Sequence, residues 1–62
     1  MFAQKIRELR QSRGLSEAAL DEIFDLMRGT VANWEHGFAV PAEELVEDIA
    51  AYFGIKVSEL VG

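Results

Sequence analysis

Ten consecutive residues, Arg28-Gly29-Thr30-Val31-Ala32-Asn33-Trp34-Glu35-His36-Gly37, carry the most specific chemistry in this chain. An arginine matches the acceptor edge of guanine and an asparagine the donor and acceptor edge of adenine, so a helix presenting Arg28 and Asn33 has the groups needed to read bases in a major groove. Catalysis has no comparable support. His36 is the single histidine and has no nucleophile beside it in a recognisable motif, and the glycines stand in or at the ends of helices rather than in a phosphate loop. Glu43, Glu44, Glu47 and Asp48 lack the oxygen-rich loop of a cation cage and are most simply a solvated face. With no cysteine there is neither a disulfide framework nor a thiolate metal site. No enzyme, no metal and no cofactor are expected.

Charge argues against the base-reading chemistry. The formal net charge is −5, and the signs are segregated. Lys5, Arg7, Arg10 and Arg13 face only Glu8 in the first fifteen residues, whereas the remainder carries Arg28 and Lys56 against ten carboxylates. A duplex-binding domain normally shows a basic balance, because neutralising phosphates and releasing their counterions supplies most non-specific affinity.

The elements that must position these residues are short helices. Phe2, Ile6 and Leu9 form a helical stripe over Phe2 to Arg13, and Gly14 supplies a left-handed stop. Ser16 caps a second helix from about Glu17 to Phe24, and Asp25-Leu26-Met27 is a tight turn with Asp25 suited to a left-handed backbone. A third helix spans about Arg28 to His36, with Val31 and Trp34 on one face, and ends at Gly37. Pro41 pre-sets a fourth helix, about Ala42 to Phe53, which Gly54 closes, and Ser58 caps a last turn through Leu60. Leu45, Ile49, Ala50, Phe53, Ile55, Val57 and Leu60 are expected in the core. The pattern predicts one all-α domain over residues 1–62, a compact five-helix unit without linker or repeat. No apolar run approaches a membrane span and no targeting signal is visible, so a soluble cytoplasmic location and no membrane partner are expected.

Two short helices joined by a turn make a helix-turn-helix, here over about residues 17–36. The chain resembles the Cro and phage-repressor family through Ile6-Arg7-Glu8-Leu9-Arg10, Gly14-Leu15-Ser16, Arg28-Gly29-Thr30-Val31, Asn33-Trp34-Glu35, Gly37, Pro41, Ile49-Ala50 and Phe53-Gly54-Ile55. The resemblance implies a repressor-like fold and a structural ion pair between Arg10 and Glu35 that fixes the third helix on the scaffold. It also places Tyr52, Ile55 and Val61 where the family often dimerises. Lys56 interrupts that surface, so a homodimer is allowed but not expected.

The family's contact positions have changed. Glu17 stands where a glutamine usually meets DNA, Met27 where a Ser or Thr usually caps the third helix, and His36 to Val40 replace a basic loop. Arg28, Thr30 and Asn33 remain able to read base edges, and Ala32 can at most touch a thymine methyl. Met27, Phe38 and Val40, with an edge of Trp34, are expected to form an apolar patch rimmed by Arg28, Asn33 and His36, the composition of a protein-binding hot spot. Leu26 and Phe24 are assigned mainly to packing, and His36 most simply favours the helix dipole.

The main expectation is therefore a non-catalytic protein-binding module, redesigned or diverged, whose site is Met27, Arg28, Val31, Asn33, Trp34, His36, Phe38 and Val40. The alternative is a sequence-specific repressor domain that meets duplex DNA through Glu17, Arg28, Thr30, Ala32, Asn33 and His36. That alternative adds residual phosphate contacts from the first helix, half-sites about one helical turn apart and strong salt dependence.

Overall fold

A computed structural model describes residues 2–61, so Met1 and Gly62, the ends of the expected domain, lie outside the described residues. Five helices follow one another: α1 (Phe2–Ser12), α2 (Glu17–Ile23), α3 (Thr30–Glu35), α4 (Glu43–Phe53) and α5 (Val57–Val61). The described residues are all-α.

Four helix ends share one construction. After α1, α2, α3 and α4 the chain passes through a positive φ at Gly14, Asp25, Gly37 and Gly54. The next amide then bonds back five residues: Leu15 to Arg10, Leu26 to Asp21, Phe38 to Asn33 and Ile55 to Ala50. This left-handed stop satisfies carbonyls that the helix leaves open and turns an apolar residue back toward the body of the domain. Leu15, Leu26 and Ile55 do pack against the core. Phe38 does not; it is 78% exposed.

The core is built from Ile6, Leu20, Val31, Trp34, Val46, Ile49, Ala50, Phe53 and Leu60, with Phe2, Leu9, Phe24 and Leu45 packed on its margin. α3 packs on α1 and α2, and α5 closes against α1 and α4. Val46 joins Ile49, Ala50 and Phe53 as one helical stripe, a spacing of three, four and seven residues that the list of expected core positions omitted. Val57, expected inside, is 38% exposed because it opens the short α5 and leaves Leu60 to face inward.

Several boundaries differ from expectation. α1 ends at Ser12, one residue early, and α4 begins at Glu43 with Ala42 as its uncapped N-terminal boundary. Ser58 lies inside α5 rather than capping it; the cap is made by Glu59, whose carboxylate accepts the Lys56 amide at 2.8 Å. The α2–α3 connection runs from Phe24 to Gly29, longer than the three residues anticipated, so Arg28 precedes α3 instead of opening it. No helix among the described residues is long and apolar enough to cross a membrane.

Candidate nucleic-acid interface

α3 is only six residues long, too short to be stable by its own hydrogen bonds, so its neighbours must hold it. Val31 and Trp34 anchor its inner face at 0% and 3% exposure. Phe2 meets the Trp34 ring edge-on at 5.8 Å. Both residues were expected at a partner-binding surface, Trp34 through a free edge. Helical geometry turns them the other way, since positions three apart share a face and that face is the core.

The N-terminal end is capped from another helix. Gly29, at φ 92°, precedes α3 without a side chain that could cap it. Asp21 on α2 supplies the acceptors: Oδ2 takes the Gly29 amide at 2.9 Å and Oδ1 takes the Val31 amide at 2.8 Å. A carboxylate here also meets the positive end of the helix dipole. The loss of a capping residue at Met27 is thereby compensated. Met27 contributes through its backbone instead, its carbonyl accepting both the Thr30 amide at 3.1 Å and the Thr30 hydroxyl at 2.6 Å.

The C-terminal end is fixed by Glu35, whose side chain is wholly buried. Arg10 donates Nε to Oε2 at 2.6 Å and Nη2 to Oε1 at 2.8 Å, while its Nη1 bonds the Leu15 carbonyl at 2.9 Å. Arg7 adds Nε to Oε1 at 3.2 Å and Nη2 to the Glu35 carbonyl at 3.3 Å. Burial by itself pushes the Glu35 carboxyl up, but the hydrogen bonds from Arg10 and then Arg7 outweigh it and hold the group below the usual carboxylate range. The hydrogen bond to Glu35 correspondingly raises Arg10, with burial opposing and Glu17 adding to the favourable field. The charge of Glu17, half-buried at the start of α2, thus acts partly on Arg10 rather than wholly on an approaching phosphate.

What α3 and its flanks leave outward is a small set. Arg28, Asn33, His36, Met27, Phe38 and Val40 are exposed, and Thr30 and Ala32 are half-buried. The His36 and Phe38 rings stack at 5.7 Å. Leu26 belongs to the packed margin and not to this surface. A cleft of about 240 Å³ beside the turn is lined by Ala18, Asp21, Glu22, Leu26 and Arg28. Of the three positions associated with dimers, Tyr52 and Val61 are open at 39% and 49%, whereas Ile55 packs against the core.

Sequence reasoning missed Asp21, counting it among the surface acids. A signal was present: three consecutive residues without capping ability, Met27, Arg28 and Gly29, imply an acceptor from elsewhere for the α3 amides. It also missed how the rest of the basic cluster is spent. Arg7 joins Arg10 on Glu35, and the Arg13 guanidinium lies over the Tyr52 and Phe53 rings at 5.3 and 5.0 Å while donating to the Tyr52 carbonyl at 3.3 Å. Among the described residues, the cations outside any ion pair or such contact are Lys5, Arg28 and Lys56.

A short helix anchored by its inner face, capped from α2, clamped from α1, showing Asn33 outward with Thr30 half-buried and Arg28 exposed just before it, is the presented helix of a helix-turn-helix. The chain belongs to the helix-turn-helix family of the Cro and phage-repressor type, which matches residues 6–60. It is similar to the cryptic phage CTXphi transcriptional repressor RstR of Vibrio cholerae, 34% identical over 98% of this chain and 55% of that protein. It is also similar to the HTH-type transcriptional activator BcrR of Enterococcus faecalis, 28% identical over 97% of this chain and 29% of that protein. The chain therefore spans about half the length of the first relative and less than a third of the second. No solved structure matches it.

These findings overturn the expectation of a protein-binding module. Family membership and two relatives that regulate transcription favour the alternative, in which the partner is DNA. The physical error lay in the charge balance: Asp21 and Glu35, two of the ten carboxylates weighed against DNA, are buried and hydrogen-bonded, and the charge of Glu35 was counted there although its pairing with Arg10 was expected.

Proposed function

We propose that this chain is the sequence-specific DNA-binding unit of a transcriptional regulator, non-catalytic, with α3 entering the major groove. Arg28 reads guanine and Asn33 reads adenine, while Thr30 and Ala32 lie against the groove floor between them. The observation that carries the reading is the family match together with a six-residue helix fixed at both ends by side chains from other helices. Such fixation suits base readout, where a recognition element must reach base edges in one register. His36 ends α3, and Glu17 opens α2 in the field of Arg10; on this reading each adjusts the approach to phosphate rather than reading a base.

Selection from a random duplex pool at about 50 mM salt tests this, with a basic helix-turn-helix domain as control. Retention of an enriched sequence is expected, and the Arg28→Ala and Asn33→Ala variants should each relax preference at one position. No retention under conditions where the control binds would end the proposal.

A further inference from the structure

We propose that Met27 and Phe38, the apolar side chains bracketing α3, read thymine methyl groups, so that the target site carries thymines at both edges of the Arg28 and Asn33 contacts. This rests on the DNA-binding reading above.

Phe38 is the exception among the four helix stops. The residues in the same place after α1, α2 and α4 turn back onto the core, while Phe38 remains 78% exposed. Its placement is nonetheless fixed, because its amide bonds the Asn33 carbonyl at 2.9 Å and its ring stacks on His36. It therefore stands at the C-terminal edge of the helix, beside the asparagine that faces adenine. Met27 holds the same relation to the other edge. Its carbonyl is bonded twice by Thr30, and its side chain is 85% exposed. Because the Thr30 hydroxyl donates its proton to Met27, Thr30 has its methyl and an acceptor left to present.

A major groove offers one apolar feature to such a set, the C5-methyl of thymine. Methyl contact would also supply affinity that charge does not, since Arg7, Arg10 and Arg13 are engaged within the protein. Asn33 facing adenine and Met27 and Phe38 facing thymine methyls all favour A·T pairs, with Arg28 setting a guanine among them.

The experiment compares the 62-residue chain on its selected duplex with the same duplex carrying deoxyuridine for thymine, which removes the methyl and leaves every hydrogen-bonding group and charge in place. Affinity should fall about threefold to fourfold for each methyl contacted. In Met27→Ala and Phe38→Ala, exposed positions expected to leave folding intact, the penalty at the corresponding thymine should disappear. Equal affinity for the two duplexes, or a penalty that persists in both variants, would overturn the inference while leaving DNA binding standing. Failure of the pool selection to enrich any sequence would remove both.

Discussion

The Asp21 carboxylate accepts the buried Val31 amide at 2.8 Å across ten residues of chain, and with its second oxygen it takes Gly29 at 2.9 Å. One side chain on α2 thereby satisfies the start of α3. Asp21→Ala strands both amides, and we expect a loss of about 2–3 kcal/mol by urea denaturation. Against a total stability of about 3–9 kcal/mol for a chain of this size, that is severe. Asp21→Asn keeps one acceptor and should lose roughly half as much. An alanine variant as stable as the parent would show that the cap carries no weight.

Arg10 and Glu35 should behave asymmetrically as single and double variants. Arg10→Ala leaves a buried carboxylate with Arg7 as its remaining partner and should cost about 3–5 kcal/mol. Replacing the pair together, as Arg10→Met with Glu35→Leu, should recover most of that loss, because apolar residues of similar size avoid the desolvation cost. The pair's contribution to geometry predicts that the double variant, though folded, binds the selected duplex more weakly. Undiminished affinity would confine the pair to packing.

Acid should destabilise the fold through Glu35. Its carboxyl lies below the usual carboxylate range when folded and within that range when unfolded, so its contribution is complete above the unfolded value and is lost as pH falls through the folded one. Thermal melts between about pH 5 and pH 2 should show a decline that is shallower in Glu35→Gln, which starts less stable. Parallel declines in the two proteins would assign acid sensitivity to other carboxylates.

Gly29→Ala isolates backbone strain. A Cβ added there meets nothing within 4 Å, but φ is 92°. The expected loss of about 1–2 kcal/mol is conformational, without any clash. Calorimetry showing an unchanged melting temperature would mean that the turn relaxes.

Salt dependence should be modest for a DNA-binding domain. With Lys5, Arg28 and Lys56 as the uncommitted cations, the slope of log affinity against log salt should be no steeper than about −3 per domain. A slope near −6 would mean that the α1 arginines leave their internal partners for phosphate. The strong salt dependence anticipated from sequence rested on residual phosphate contacts from the first helix, where Arg7 and Arg13 are engaged as well as Arg10.

Much of this was legible before any coordinates. The Ile6 and Leu9 stripe, the Ser16 cap and the glycines at 14, 37 and 54 mark helices and their ends through local properties: a 3.6-residue period, an acceptor beside open amides, a residue that tolerates positive φ. The ordered fragments from Ile6 to Ile55 resemble one family, and that family matches residues 6–60. The α2–α3 turn was misjudged in length because Phe24 and Arg28, assigned to the flanking helices, are each compatible with helix or turn. The choice fell to the Asp21 cap, which starts α3 at Thr30.

The sequence by itself determined the helical elements, their stops and a third helix bearing Thr30 and Asn33, since each follows from residues within a few positions of one another. Only the tertiary structure decided which charges remain on the surface. Beyond the Arg10 partner that the resemblance implies, Glu35 meets Arg7 from 28 positions away, Asp21 meets Val31 from ten, and Arg13 reaches Tyr52 from 39. Formal charge is a property of composition, whereas the charge available to a phosphate depends on how helices cross. Packing buried two carboxylates and engaged three arginines, and it left Phe38 as the one helix-stop residue that faces outward.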